Sequence, residues 1–274
     1  MADTSIEWAT KVWNPTTGCD RVSAGCDHCY ALTMARRLKG MGSAKYQNDG
    51  DPRTSGPGFG LTVHPDTLTV PLRWRQPERV FVNSMSDLFH ARVPVPFLAQ
   101  VFAVMARTPQ HTYQVLTKRP ERLRAIVGAD GRRLIAAATE ADALALEQRW
   151  PLPNVHLGTS IELDRYTRRA DDLRRADAVV RFLSLEPLLG PLPSLRLHGI
   201  SWCIIGGESG PGARPLDLGW VRDLIARCLD AGTAVFVKQL GTVWAREHGS
   251  GSRKGGDWDS WPPDLRIREY PGAS

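Results

Sequence analysis

No window of this sequence approaches the roughly 20 consecutive apolar residues that a membrane-spanning helix needs, so no membrane partner is expected. The amino-terminal stretch Met1-Ala2-Asp3-Thr4-Ser5-Ile6-Glu7 has neither a basic start nor an apolar run, which argues against a secretory leader and for a cytoplasmic, reducing location. The glycine-rich turn Gly206-Gly207-Glu208-Ser209-Gly210 lacks both the Lys-Ser/Thr ending of a phosphate loop and the spacing of a dinucleotide fingerprint. Neither a recognition-helix pattern nor a stacked-aromatic sheet motif is present to read nucleic acid. Cysteine is scarce, at five in 274 residues.

Three of those cysteines, Cys19, Cys26 and Cys29, fall in the single stretch Trp13–Tyr30. Gly18 and Gly25 each precede a cysteine, so the backbone is free to curl until the sulfurs face one centre. A disulfide does not suit the reducing location. A structural zinc site needs a fourth ligand, for which His28, Asp20 and the distant Cys203 are candidates. Three cysteines with no obvious fourth suit an iron–sulfur cluster that keeps one iron open to an outside ligand. Cys203, in an apolar strand, and Cys228, on a helix beside Leu224, Ile225 and Leu229, read as core.

The hydrophobic fraction of 42% and charged fraction of 23% fit one α/β domain over 1–274 with a substantial core. The net charge of +6, with a pI near 9.3, fits a polyanionic partner without requiring one. A first strand is expected within Trp8–Trp13, just before the cysteine loop, and a helix over Ala31–Leu38 just after it. Residues 39–78 begin as a Gly/Pro-rich loop without hydrophobic period and read as a long insertion after that helix, with an extended or hairpin excursion from Leu61 to Leu72. Strands are then expected at Val80–Val82, Tyr113–Leu116, Val155–Leu157, Val180–Leu185, Trp202–Ile205 and Ala234–Val237. They alternate with helices at Val95–Ala106, Pro120–Ile126, Ala141–Trp150, Arg165–Ala176 and Leu218–Ala231. This alternation predicts a parallel (β/α) barrel of about seven strands, partial or nearly closed. The carboxy-terminal 245–274, rich in Gly, Pro and Trp, is expected to fold over its mouth as a cover.

Each apolar run ends in polar residues: Ser84, Ser86 and Asp87; Lys118 and Arg119; Ser160 and Glu162; Glu186; Glu208; and Lys238. In a parallel barrel these would ring one mouth, where such folds keep their active sites, with the cysteine loop opening on the same side. Lys118 and Glu186 are the leading candidates for acid, base or anion anchor. Glu208, Arg214 and Lys238 are candidates for binding a polar substrate. The competing roles are helix capping for Asp87 and Glu162 and mutual neutralisation for the charged groups.

Cys26-Asp27-His28-Cys29-Tyr30 resembles the C-x-aromatic-C-Y end of the radical S-adenosylmethionine (radical SAM) signature, and the wider Trp13–Tyr30 stretch resembles the phage-associated three-cysteine-motif family. Val82–Phe89, Leu116–Pro120, Gly206–Gly210 and Lys254–Asp257 also look like blocks of that family. The resemblance implies a [4Fe-4S] cluster on Cys19, Cys26 and Cys29, S-adenosylmethionine as co-substrate, and a need for an electron donor. It implies that Ser84, Ser86 and Asp87 grip the SAM ammonium and that Ser160 and Glu162 hold its ribose. In one respect the sequence departs from the signature: six residues separate the first two cysteines where the usual loop has three. Substrate is undefined, with nucleic acid a candidate. The alternative is a zinc-binding, nucleic-acid-associated module acting with a partner protein encoded nearby.

Overall fold

A computed structural model describes Thr4, residues 6–137 and residues 150–272. Its framework is a seven-stranded parallel sheet built from β1 (Lys11–Trp13), β4 (Arg79–Val82), β5 (Thr112–Thr117), β6 (Val155–Ser160), β7 (Val180–Leu185), β8 (Trp202–Gly206) and β9 (Ala234–Gln239), in that spatial order. Two further strands, β2 (Thr16–Thr17) and β3 (Thr62–Val63), pair antiparallel beside it. Strand order follows chain order because each crossover returns the chain to the next position. The sheet curls into a half-barrel whose edge strands, β1 and β9, do not pair with each other.

The helices are α1 (Tyr30–Gly40), α2 (Val95–Arg107), α3 (Pro120–Val127), α4 (Ala129–Ala137), α5 (Arg168–Arg174), α6 (Leu218–Asp230) and α7 (Gly241–Glu247). Local signals set several ends: Pro120 opens α3, where its missing N–H costs nothing, and the Asp217 carboxylate accepts from the N–H of Gly219 at 2.7 Å to start α6. The expected Arg165–Ala176 helix divides into a 3-10 turn at Asp164–Tyr166 and the shorter α5. The expected Ala141–Trp150 helix falls almost wholly outside the described residues, and Trp150 itself is not helical.

Period-2 alternation gives the sheet two apolar faces. Val80, Val82, Tyr113, Val115, Val155, Leu157, Leu183, Leu185, Cys203, Val235 and Val237 face the helices and join the main core, as does Cys228 on α6. Phe81, Phe182, Trp202, Ile204 and Phe236 face the concave side, where the segment before β1 enters the half-barrel. Trp8 lies across that face with its ring 4.6 Å from Phe81 and 6.2 Å from Trp202, both edge-on.

Within residues 39–78, only Thr62–Val63 of the extended or hairpin excursion expected from Leu61 to Leu72 forms a strand. Pro65 and Pro71 each open a 3-10 turn instead, and the short β3 pairs with β2. The segment packs against the cysteine loop through buried Tyr46 and Phe59. Past α7 the chain runs along the free edge of β9: Val237 donates to the carbonyl of Ile267 and Glu269 to that of Val235. Of this expected cover, Lys254 reaches the mouth of the half-barrel, where its ammonium meets Glu7 at 2.5 Å.

Candidate functional site

A cavity of about 550 Å³ opens at the carboxyl ends of the strands, a volume suited to a cofactor or small substrate. Cys19, Cys26 and Cys29 border it, and so do Ser84, Ser86, Asp87, Lys118, Ser160, Glu186, Glu208 and Lys238. Glu162 and Arg214 lie outside its wall.

The cysteine loop is fastened at each end and in the middle by groups from distant strands. Gly18, at φ +84°, donates its N–H to the carbonyl of Met85 at 3.0 Å, setting the loop beside the end of β4. Asp20 accepts from Thr54 at 2.8 Å, Ser55 at 3.1 Å, His90 Nε2 at 2.8 Å and Arg92 at 3.2 Å. Burial opposes ionisation of Asp20, but the hydrogen bonds from Thr54, His90 and Ser55 prevail and hold it below the ordinary carboxylate value. His90 is pushed the other way by burial, toward neutrality. Its Nδ1 accepts the N–H of Arg92, so Nε2 is the donor and the contact with Asp20 is a hydrogen bond of neutral imidazole.

In the middle of the loop, the N–H of Gly25 donates to Glu162 Oε1 at 3.1 Å, while Arg169 donates to Glu162 Oε2 at 3.0 Å. Glu208 accepts from Arg214 Nε at 2.8 Å and lies 3.2 Å from His28 Nδ1. Arg214 in turn donates to the carbonyl of Ala24 at 2.9 Å and comes within 3.8 Å of Asp27. Glu162, Glu208 and Arg214 therefore act on the loop's position.

Asp87 is similarly committed. Thr117 Oγ1 at 2.7 Å, the N–H of Lys118 at 3.1 Å, the N–H of Phe89 at 3.0 Å and Arg119 Nη1 at 2.7 Å all donate to its carboxylate. The Ser86 hydroxyl meets Thr16 Oγ1 at 2.6 Å and donates to the Thr16 carbonyl at 3.0 Å. Ser84 makes longer contacts with the Asn14 amide, at 3.3 and 3.4 Å.

Two cations face the sulfurs. Arg119 Nη1 donates to Cys19 Sγ at 3.5 Å, while Nη2 donates to the carbonyl of Asp20 at 3.1 Å. The Lys118 ammonium makes no hydrogen bond or ion pair among the described residues. Burial disfavours its ammonium, but Cys26, Glu162 and Cys29 outweigh that and raise its pKa. Burial, reinforced by Asp87, pushes the Cys19 thiol up to about 12 in the metal-free chain, and burial raises Cys29 as well. Metal loading must displace those protons. Across the cavity Lys238 Nζ grips both oxygens of Glu186, at 2.7 and 3.0 Å, and Gln239 Nε2 adds a third contact at 3.2 Å.

Among the described residues no group of three or more His, Cys, Asp or Glu side chains is already gathered as a metal site. The three thiols share one cavity wall without converging. Their chemistry nonetheless fits an anionic, thiolate-held cluster: three soft donors on one loop, with a guanidinium and an unpaired ammonium beside them.

Several contributors escaped the sequence reading. Asn83, at φ +64°, turns the chain at the end of β4, a conformation asparagine tolerates better than most residues. His90 and Arg169 carry no local signal, because their partners are 70 and 7 residues away. A family model described as "Protein of unknown function (DUF5131)" matches residues 3–262. No curated protein and no solved structure matches the chain.

Proposed function

This chain belongs to the DUF5131 family, and from the geometry of its site we propose that it is an iron–sulfur-cluster-binding enzyme of the radical SAM type. The observation that carries the reading is that Cys19, Cys26 and Cys29 share one cavity with the polar ends of six parallel strands. Cys19, Cys26 and Cys29 would hold a [4Fe-4S] cluster, whose chemistry would be one-electron reductive cleavage of S-adenosylmethionine.

The protein's part is holding, charge balance and exclusion of water. Arg119 and Lys118 offset the negative charge of three thiolates in a site where screening by solvent is weak. Lys118 has free donors for an anionic group of the co-substrate, and the Ser160 and Ser84 hydroxyls border the same space. Asp87, Glu162 and Glu208 act one step back, fixing Arg119 and the cysteine loop. The Glu186 and Lys238 pair stands opposite, placed to accept or return a proton on a substrate.

Anaerobic reconstitution tests the reading. Iron and labile sulfide, a brown chromophore and release of 5′-deoxyadenosine on reduction with SAM are expected, with iron binding lost in Cys19→Ser, Cys26→Ser and Cys29→Ser. Stoichiometric zinc without sulfide would replace it with the zinc-binding module.

A further inference from the structure

Helix α1 packs inward through Ala31, Ala35 and Leu38. The adjacent, solvent-facing flank carries Tyr30, Met34 and Arg37, followed by Met41, at spacings of four, three and four residues that set all four in one row. Polar residues ordinarily occupy such a face, yet Tyr30 is 53%, Met34 41% and Met41 69% exposed. The row begins on the rim of the cavity, which Tyr30 and Met34 line together with exposed Arg21 and Val22. Helix α1 contains no acidic residue, and exposed Arg21, Arg36 and Arg37 have no ion pair among the described residues.

Inside the mouth, Trp8 and Phe81 supply aromatic wall. Gln239 also lines it and is 2% exposed. Its Nε2 donates to Glu186 Oε1 at 3.2 Å and to the carbonyl of Gly207 at 3.1 Å, which fixes the amide orientation. The amide oxygen, Oε1, is then buried with no partner. An unpaired buried acceptor that shares a cavity with aromatic rings matches a planar heterocycle that brings its own N–H.

We propose that this row and the cavity together receive a single-stranded nucleic acid. Its phosphates lie against Arg21, Arg36 and Arg37, its bases stack on Tyr30 and pack on Met34 and Met41, and one base turns inward toward Trp8 and Gln239. A single strand is required because bases in a duplex present no free face to the row and cannot enter the cavity. An acidic peptide would satisfy the arginines but leave the aromatic wall and the amide acceptor without a counterpart. The assignment names the substrate class of the site proposed above, so it rests on that reading for the reaction, although binding itself requires no cluster.

Fluorescence anisotropy with a labelled single-stranded DNA of about 12 nucleotides, on the metal-free full-length chain and again after iron loading, is the test. Binding is expected to weaken steeply with salt, and Arg37→Gln to reduce the log–log salt slope by about 0.7. Tyr30→Ser and Met34→Ser should each weaken binding by about 5- to 100-fold, while Tyr30→Phe, which keeps the ring, should stay near wild type. Thermal unfolding of the same variants separates loss of binding from loss of fold. Equal binding of duplex DNA, unchanged affinity in folded Tyr30→Ser and Met34→Ser, or preference for a poly-glutamate peptide would each overturn the proposal. A chain that binds the strand but never assembles iron and sulfide defeats the enzymatic reading alone; one that assembles them but ignores the strand defeats this proposal alone.

Discussion

Arg119 and Cys19 are a hundred residues apart in sequence, yet the guanidinium of one donates to the sulfur of the other at 3.5 Å. The same nitrogen donates to Asp87 at 2.7 Å and its neighbour to the carbonyl of Asp20 at 3.1 Å. A single planar group thereby joins the end of β5, the end of β4 and the cysteine loop, which a point charge cannot do.

Arg119→Met should remove all three bonds and leave Asp87, 5% exposed, as a buried carboxylate without its cation. A loss of about 3–5 kcal/mol is expected. Arg119→Lys, which keeps the charge but not the fork, should lose about 1–2 kcal/mol. Urea unfolding with an unchanged m-value checks both; a loss below about 1 kcal/mol for the methionine variant would show that Asp87 finds another partner.

Glu162 is fully buried and divides its two oxygens between Arg169 and the N–H of Gly25. Glu162→Gln keeps the shape but leaves the Arg169 charge unbalanced, so a cost of about 3 kcal/mol is expected. Because Gly25 lies in the cysteine loop, limited proteolysis should cut residues 20–29 faster in the variant than in the wild type. Unchanged cleavage at equal global stability would mean that the loop is held without Glu162.

The strands were legible because runs such as Val180–Leu185 carry their period in adjacent residues, and β7 occupies that very range. The ring of polar strand ends was legible for the same reason, since a parallel sheet sends every strand end to one side. The assignment of tasks within that ring was not. Whether Glu162 faces a ligand or the N–H of Gly25 depends on a contact 137 residues away, which no local pattern records. Helix α4 was not drawn from the sequence: its first turn holds Gly131, a poor helix former, which sits in the helix with the carbonyl of Ile126 where a Cβ would be.

The turn into the cysteine loop depends on Gly18 twice over. Its φ of +84° disfavours any side chain, and a Cβ would sit 2.3 Å from the carbonyl oxygen of Gly60. Gly18→Ala is expected to cost about 2–5 kcal/mol, the sum of backbone strain and a backbone clash. Gly42, at φ +75°, has open space where its Cβ would be, so Gly42→Ala isolates the strain alone at about 1 kcal/mol. Equal losses in the two variants would show that the approach of Gly60 relaxes freely.

His156 carries a pH dependence of the fold. It points to the concave face of β6 opposite Gln114 of β5, with Nδ1 buried and unpartnered. Burial alone depresses its pKa from 6.5 to about 4. The unfolded chain therefore takes up a proton near pH 6.5 that the folded chain refuses until about pH 4. Stability contributed by the neutral imidazole is intact above pH 6.5, falls as pH drops through that window, and is fully lost below it, a change of about 3 kcal/mol. Carboxylates lose their ion pairs over an overlapping range, so the difference between wild type and His156→Gln, and not the wild-type curve, isolates the histidine. Urea midpoints measured from pH 7.5 to about 4 should converge on acidification, the variant losing less than the wild type. Parallel curves would place the imidazole in contact with water.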